Sequence, residues 1–341
     1  MHKTIASTLL KDWRTYPKFR HNLWTTYDDK PEVTYLTVSH ATFEVPRSDA
    51  ETFLCLRTYC TGHHTIPEIA QKSGVDEATT QALLTALMEA EVGRPAYRPL
   101  HTLRAEEIRQ SIFVACRMWS VQLAETYIAA DIKAGKVSKS VLLGWLLETY
   151  HYIRAFPKAL AYAAGQAQGE LRAILTEYAD QEDGHERFLL RCLTNVGFKP
   201  EEVTESIPLV STRLIDLLMR NLFGAAPAAA LLVAMVLEAG DLDERDGAAF
   251  RDAIAAHYDI AAEALGPFQE HMLLDAHLGH STLAERYAHL IVFEDERQIH
   301  DVVNQIHDLK HAFDLQSLEI KAYYSHTGNY VPRQFVDFFA I

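Results

Sequence analysis

Residues 228–238 read Ala-Ala-Ala-Leu-Leu-Val-Ala-Met-Val-Leu-Glu: ten apolar residues that end on a carboxylate. They lie in the longest uncharged run of the chain, Asn221–Leu237, which is 17 residues long and contains Pro227. A membrane-spanning helix needs about 20 apolar residues, so a buried core helix is expected instead. A helix that is apolar all round has no wet face and must be wrapped by other helices. Its terminal carboxylate, Glu238, must then be paired, protonated or bound to a cation, unless the helix frays into water before Gly240.

Outward from this stretch, the pattern is helical from about residue 102 onward. Helices are expected near 103–134, 138–165, 168–196, 211–223, 226–239, 243–263, 264–290 and 291–322. The breaks are Gly135, Gly197–Pro200, Pro208, Gly224–Pro227, Gly240-Asp and Gly266-Pro267. No strand pattern intervenes. The expected fold class is all-α, a helical bundle over 99–341 with room for a central cavity and an aromatic-rich ending, 323–341, packed back on it.

The N-terminal region, 1–98, reads differently. Thr34–Val38 has strand composition. Asp49 could cap a helix to about Cys60; Thr65-Ile-Pro-Glu opens a second that stops at Ser73-Gly74; Asp76 opens a third that stops at Gly93. Over about 44–98 this is the pattern of a small helix-turn-helix or winged-helix-like module. Residues Arg94-Pro95 to Arg98-Pro99 read as a linker. The third helix carries Asp76, Glu77, Glu89 and Glu91 and no Lys or Arg. Phosphate would repel it, so docking or a structural role is expected rather than DNA binding.

Composition agrees. The 341 residues include 46 acidic and 32 basic, a formal charge of −14, which disfavours nucleic acid as a partner. The cysteines, Cys55, Cys60, Cys116 and Cys192, form no C-x-x-C pair, so neither a disulfide framework nor a zinc site is expected. Residues 1–13 show no secretory signal, and a cytoplasmic location with no membrane contact is expected. Histidine is abundant, at 17 residues, and imidazole is the commonest metal ligand.

Three stretches offer metal ligands. Glu182-Asp-Gly-His185 has the Glu-x-x-His spacing that places both groups on one helix face, as in helix-bundle di-iron centres. Glu238 ends the apolar helix. His271-Met-Leu-Leu-Asp275 places an imidazole and a carboxylate four apart, and His277 and His280 follow. Each motif alone is also what a wet polar face looks like. Together they are hard oxygen and imidazole donors without thiolate, a set that suits iron or manganese.

This order and spacing resemble the heme-oxygenase-like diiron oxidases and oxygenases. These are iron-containing redox enzymes similar in fold to the pyrroloquinoline-quinone synthesis oxidase and to thiaminase-type proteins. The resemblance covers roughly residues 105–310. It implies two Fe(II) ions per chain and O2 as cofactors. The implied ligands are Glu182, His185, Glu238, His271 and Asp275, with Glu238 bridging the ions. Such relatives often carry a further His three residues after the Asp, but here that position is Leu278. On a regular helix His280 points about 140° from Asp275. Unless Gly279 distorts the helix, the second iron has fewer protein ligands; of His277 and His280, His280 is favoured. A second Glu-x-x-His, Glu148 and His151, is open as a supplementary ligand, a substrate contact or a structural pair. In a ferritin-like centre it would be a main ligand set.

The resemblance further implies oxygenation of an amine nitrogen or oxidative C–C cleavage of an amino-acid-derived metabolite, in natural-product biosynthesis. Arg154, Arg187 and Arg213 are candidates to bind a substrate carboxylate. A peptide or carrier-protein contact is open to the N-terminal module. The stripe Glu296, His300, Asn304, His307 and His311 reads as a solvated face or an oligomer contact, which leaves a homodimer open. Two other readings stand beside the oxygenase: a cofactorless oxidase on the same bundle, and a non-catalytic ligand- or peptide-binding protein. A metal centre needs neutral His and ionised carboxylates, so loading is expected to weaken below about pH 6.

Overall fold

The computed structural model describes residues 15–19, 24–25, 30–38, 41–89, 103–238, 243–326, 328–329 and 331–337, in two units, Met1–Leu103 and Arg104–Ile341. In the first unit, strands β1 (Trp24–Thr25), β2 (Val33–Val38) and β3 (Ala41–Pro46) form an antiparallel sheet in that order. Helix α1 (Arg47–Arg57) follows β3 directly, so it begins before Asp49 rather than after it. Its buried residues, Ala50, Phe53 and Leu56, recur every third position and line one face. Helix α2 (Ile66–Ser73) starts where expected. Thr65 and Glu68 form a capping box, with Pro67 in the first turn. In front of α3 (Glu77–Glu89), Asp76 Oδ1 accepts from the Thr79 amide at 2.8 Å. Phe19, Leu36, Phe53, Leu56, Ile69 and Leu84 form the core. The expected linker, 94–99, lies outside the described residues.

The second unit is helical throughout its described residues. Its helices are α4 (Ala105–Thr126), α5 (Ile128–Lys133), α6 (Lys139–Gln166), α7 (Gly169–Glu182), α8 (Glu186–Asn195), α9 (Pro200–Thr204), α10 (Val210–Ala225) and α11 (Ala229–Leu237), then α12 (Glu244–Tyr258), α13 (Gly266–Leu278), α14 (Leu283–Arg286) and α15 (Glu296–Ser325). Helix α11 is the apolar stretch quoted above, and every residue from Ala229 to Val236 is buried. It packs among α4, α10, α14 and α15. Helix α6 runs unbroken through Pro157 and packs against α7, α8, α10 and α15. Among the described residues no helix is long and apolar enough to cross a membrane.

Several expected helices are divided. The 168–196 helix stops at Glu182, because Asp183 is extended and Gly184 has φ +89°. Only glycine takes that backbone conformation without strain. The 264–290 helix stops at Leu278, where Gly279 is left-handed with φ +67°, and short turns follow. The 103–134 helix breaks at Tyr127. Helix α15 extends through Tyr323 and Tyr324, which were expected in the irregular ending. The remaining tail does pack back: the Ile207 amide donates to the Arg333 carbonyl, and Arg333 donates to the Pro208 carbonyl at 2.6 Å.

Helices α6 and α15 touch where Gly144 faces Tyr324. A Cβ at Gly144 would lie 2.2 Å from the Tyr324 ring, too close for any contact. Elsewhere in a helix, Gly→Ala stabilises by roughly 0.5–1 kcal/mol. Here overpacking reverses the sign, and Gly144→Ala is expected to destabilise by about 1–3 kcal/mol. A lowered urea midpoint at unchanged slope is the expected result.

Candidate metal centre

The backbone breaks that interrupt the expected helices are what bring the ligand candidates together. Glu182 is the last residue of α7, and His185 stands just before α8, beyond Gly184. The two are therefore not a turn apart on one regular helix, as their spacing suggests. They flank a tight turn, and His185 Nδ1 lies 3.3 Å from Glu182 Oε2. Glu238 follows the last residue of α11 in extended conformation. His271 and Asp275 share one face of α13, and His271 Nδ1 is 3.2 Å from Asp275 Oδ2. Gly279 ends α13 and turns His280 inward, so His280 is buried while His277 is exposed.

Six side chains converge in two groups of three. One group is His185, His271 and Asp275; the other is Glu182, Glu238 and His280. Within each group one donor atom from every residue lies within 4.8 Å of the others. The groups adjoin: His185 Nδ1 is 3.3 Å from both Glu182 and Asp275, and His280 Nδ1 is 2.9 Å from Glu182 Oε1.

These approaches are short but do not have hydrogen-bond geometry. Among the described residues, nine buried side-chain polar atoms have no hydrogen-bond partner, and five of them are here. They are Glu182 Oε1, His185 Nδ1, His271 Nε2, Asp275 Oδ1 and His280 Nδ1. An unpartnered buried polar atom costs about 1–3 kcal/mol, so five in one pocket call for a partner of another kind. Neutral imidazole nitrogens and carboxylate oxygens, with no thiolate, fit a hard or borderline divalent cation. The residues fit iron.

Electrostatics points the same way. Burial pushes the Glu238 carboxyl well above the usual carboxylate range, and the nearby Glu182 and Asp275 carboxylates push it further. Burial opposes charge on Glu182 too, but the His185 and His280 imidazoles outweigh it and hold that carboxyl at about 2. Burial would lower His185, yet Asp275 and Glu182 beside it raise it to about 10. Burial lowers His271, more than the Asp275 charge raises it. Without a cation, the pocket offsets its carboxylates by holding protons on Glu238 and His185.

Residues 143–311 match the model of a family described as iron-containing redox enzymes. All six converging side chains fall inside that span; the N-terminal unit lies outside it, and its winged-helix likeness rests on sequence pattern alone. No curated protein matches. Among solved structures, a domain of unknown function with a heme oxygenase-like fold from Shewanella denitrificans aligns with a TM-score of 0.51 and 18% identity, over 69% of this chain and 99% of that one. A TenA homologue from Pseudomonas syringae aligns with a TM-score of 0.47 and 12% identity, over 65% and 98%. Another from P. horikoshii has a TM-score of 0.42 and 14% identity, over 64% and 94%. The fold is a heme-oxygenase-like helical bundle.

Not every candidate joins the cluster. Glu148 is fully buried with both oxygens engaged. Oε2 accepts from the Leu209 amide at 3.0 Å and the Thr212 hydroxyl at 2.5 Å, and Oε1 accepts from Tyr324 at 2.7 Å. These donors come from or just before α10 and from α15, so Glu148 ties three elements together, and each of its oxygens already accepts at least one hydrogen bond. Neither Glu148 nor His151 belongs to the two triads. His151 Nε2 is hydrogen-bonded to Ser206 at 2.9 Å, and burial, with Arg154 nearby, lowers its pKa to about 4. His151 and Arg213 line a cleft of about 200 Å³ with Thr212 and Asp216. Arg154 reaches Tyr150 and the Thr204 carbonyl at 3.4 Å, and Arg187 is exposed. In the late stripe, Glu296, His300, Asn304 and His311 are exposed, and His307 packs edge-on to Trp119.

Two neighbours of the cluster had no role in the sequence reading, although Tyr178 was a core or pocket candidate. Tyr178 donates to Glu238 Oε1 at 2.5 Å, and its ring packs on His280 with centroids 4.3 Å apart. Gln181 contacts the outer nitrogen of His280 at 2.8 Å. Tyr178 stands one helical turn before Glu182, a spacing that could have flagged it.

Two expectations follow. His280→Ala should bind Fe(II) more weakly than the natural chain in equilibrium dialysis, whereas His277→Ala should bind it unchanged; the reverse would remove His280 from the cluster. Metal loading needs Glu238 ionised and His185 neutral, so cations must displace their protons and affinity must rise with pH. Calorimetry in buffers of different ionisation enthalpy should report about two protons released when the site fills at neutral pH, one from Glu238 and one from His185. Uptake without proton release would contradict the charge balance drawn here.

Proposed function

We propose that this chain is a non-heme diiron oxidase or oxygenase. It uses O2 on an amino-acid-derived small molecule, by amine N-oxygenation or oxidative C–C cleavage, in natural-product biosynthesis. One observation carries the diiron part: two adjoining triads of imidazole and carboxylate donors, with five buried atoms that lack hydrogen-bond partners. The match to iron-containing redox enzymes over 143–311 supports the metal and the redox class. The substrate class rests on the family resemblance.

In this reading His185, His271 and Asp275 would hold one ion, and Glu182, Glu238 and His280 the other. The family resemblance, rather than the spacing of the two triads, would make Glu238, at the end of the apolar helix, a ligand to both. Iron in this pocket would supply Lewis acidity and electrons to O2. The chain's own part is to position donors and keep water out. Helix α11, the buried rings of Tyr178 and Phe156 and the partly buried ring of Tyr152 wall the Glu238 side with apolar surface. The Tyr178 hydroxyl fixes the Glu238 carboxylate through Oε1 and keeps its own proton, because burial and the Glu238 and Glu182 charges push its pKa well up. Of the three candidate arginines, Arg213 lines a cleft, together with His151 and Asp216, and this reading assigns it to a small anionic substrate.

The test is anaerobic Fe(II) titration, then exposure to O2 with amino acids and amines screened by mass spectrometry. Two irons per chain and O2 uptake tied to a new oxidised product are expected. Glu238→Ala should abolish product and lower iron content to one or none. O2 consumption that survives strong chelation would instead favour a cofactorless oxidase. No iron uptake would leave a ligand-binding bundle.

A further inference from the structure

His280 has two ring nitrogens in different surroundings. Nδ1 lies 2.9 Å from Glu182 Oε1 and has no hydrogen-bond partner, while Nε2 lies 2.8 Å from Gln181 Oε1. A neutral imidazole carries one hydrogen, and the nitrogen that lacks it is the one with a lone pair to give a metal. Which nitrogen that is depends on what the other one meets. An amide oxygen only accepts, so opposite Gln181 Oε1 the hydrogen belongs on Nε2.

The orientation of the Gln181 amide is itself set. Its Nε2 donates to Glu177 Oε1 at 3.3 Å, one turn back on α7. A carboxylate only accepts, so turning the amide over would set its oxygen against the Glu177 carboxylate, a repulsive contact, and would turn its NH2 toward His280 Nε2, which would then accept and leave the ring hydrogen on Nδ1. Glu177 therefore orients Gln181, and Gln181 places the hydrogen of His280. His185 and His271 have no comparable side-chain hydrogen bond among the described residues.

We propose that Gln181 is a positioning residue that selects Nδ1 of His280 as a metal-ligating atom, with Glu177 fixing the Gln181 amide. The assignment rests on the two-metal reading above and deepens it. His280 needs such a device more than the other two imidazoles do. It follows a left-handed glycine and comes from a short turn rather than from the body of a helix, so helical packing alone does not hold its ring. Partners of this kind around metal-bound histidines typically contribute 10–100-fold to metal affinity.

The experiment uses Co(II) as the probe on the full chain, with binding followed by visible absorption and equilibrium dialysis. Three proteins are compared: the natural chain, Gln181→Leu, and the exchange Glu177→Gln with Gln181→Glu. Leucine removes the acceptor. The exchange restores a donor at 177 and an acceptor at 181, without placing two carboxylates one turn apart. The natural chain should bind two Co(II). Gln181→Leu should weaken one site 10–100-fold and leave the other, with a metal-free melting temperature close to the natural one. The exchange should recover the weakened site. Unaltered binding of both ions by Gln181→Leu would overturn the positioning role, as would an exchange variant as weak as the leucine variant. If the natural chain binds fewer than two ions, the two-metal reading falls first, and its failure is thereby distinguished from that of the Gln181 assignment.

Discussion

Carboxylates that crowd into a largely buried pocket repel one another strongly. Glu182 and Glu238 have oxygens within 4.8 Å, and two unit charges at that separation cost about 3–4 kcal/mol at an effective dielectric near 20. Asp275 adds its charge from the adjoining group, and the fold does little to relieve the repulsion with neutral donors. Tyr178 supplies one hydrogen bond to Glu238, while Glu182 Oε1 and Asp275 Oδ1 have none. The pocket must therefore hold protons or cations. Two divalent ions bring four positive charges against three negative ones, which the three neutral imidazoles can share. The rest of the second unit can be read as scaffolding that brings these charges together and keeps water away.

The other buried carboxylate of the bundle makes the contrast plain. Glu148 is as deep as any of the three, yet it meets three donors from neighbouring elements. A carboxylate so supplied is a tie between helices. One with other lone pairs around it and no donor is a candidate to bind a cation. Both occur in Glu-x-x-His motifs, at 148–151 and 182–185, so the spacing alone does not distinguish them. What separates them is the partner set, and that depends on where α10 and α15 come to lie.

Much of this was legible from the residues. The apolar run before Glu238, the helical periodicity beyond residue 102 and the helix start at Thr65-Ile-Pro-Glu were read directly, because each depends on local pattern. The break at Gly184 was not, and the one at Gly279 stood only as one of two alternatives. Both glycines sit in sequence that continues with helical periodicity on either side, and a glycine in a helix is tolerated as readily as it ends one. Packing decided in favour of a turn in each case. The contacts of Gln181 and Tyr178 were hidden for a related reason: both reach residues far away in sequence, His280 and Glu238, and no spacing rule encodes that reach.

The left-handed backbone at Gly279 also bears on how such centres are sought in other chains. A fixed-gap pattern that demands the last histidine three positions beyond the aspartate assumes one continuous helix. Here the chain reverses direction first, and the imidazole arrives five positions on, from a turn. A search template for this chemistry would therefore do better to allow a variable interval closed by glycine than to insist on a single periodicity.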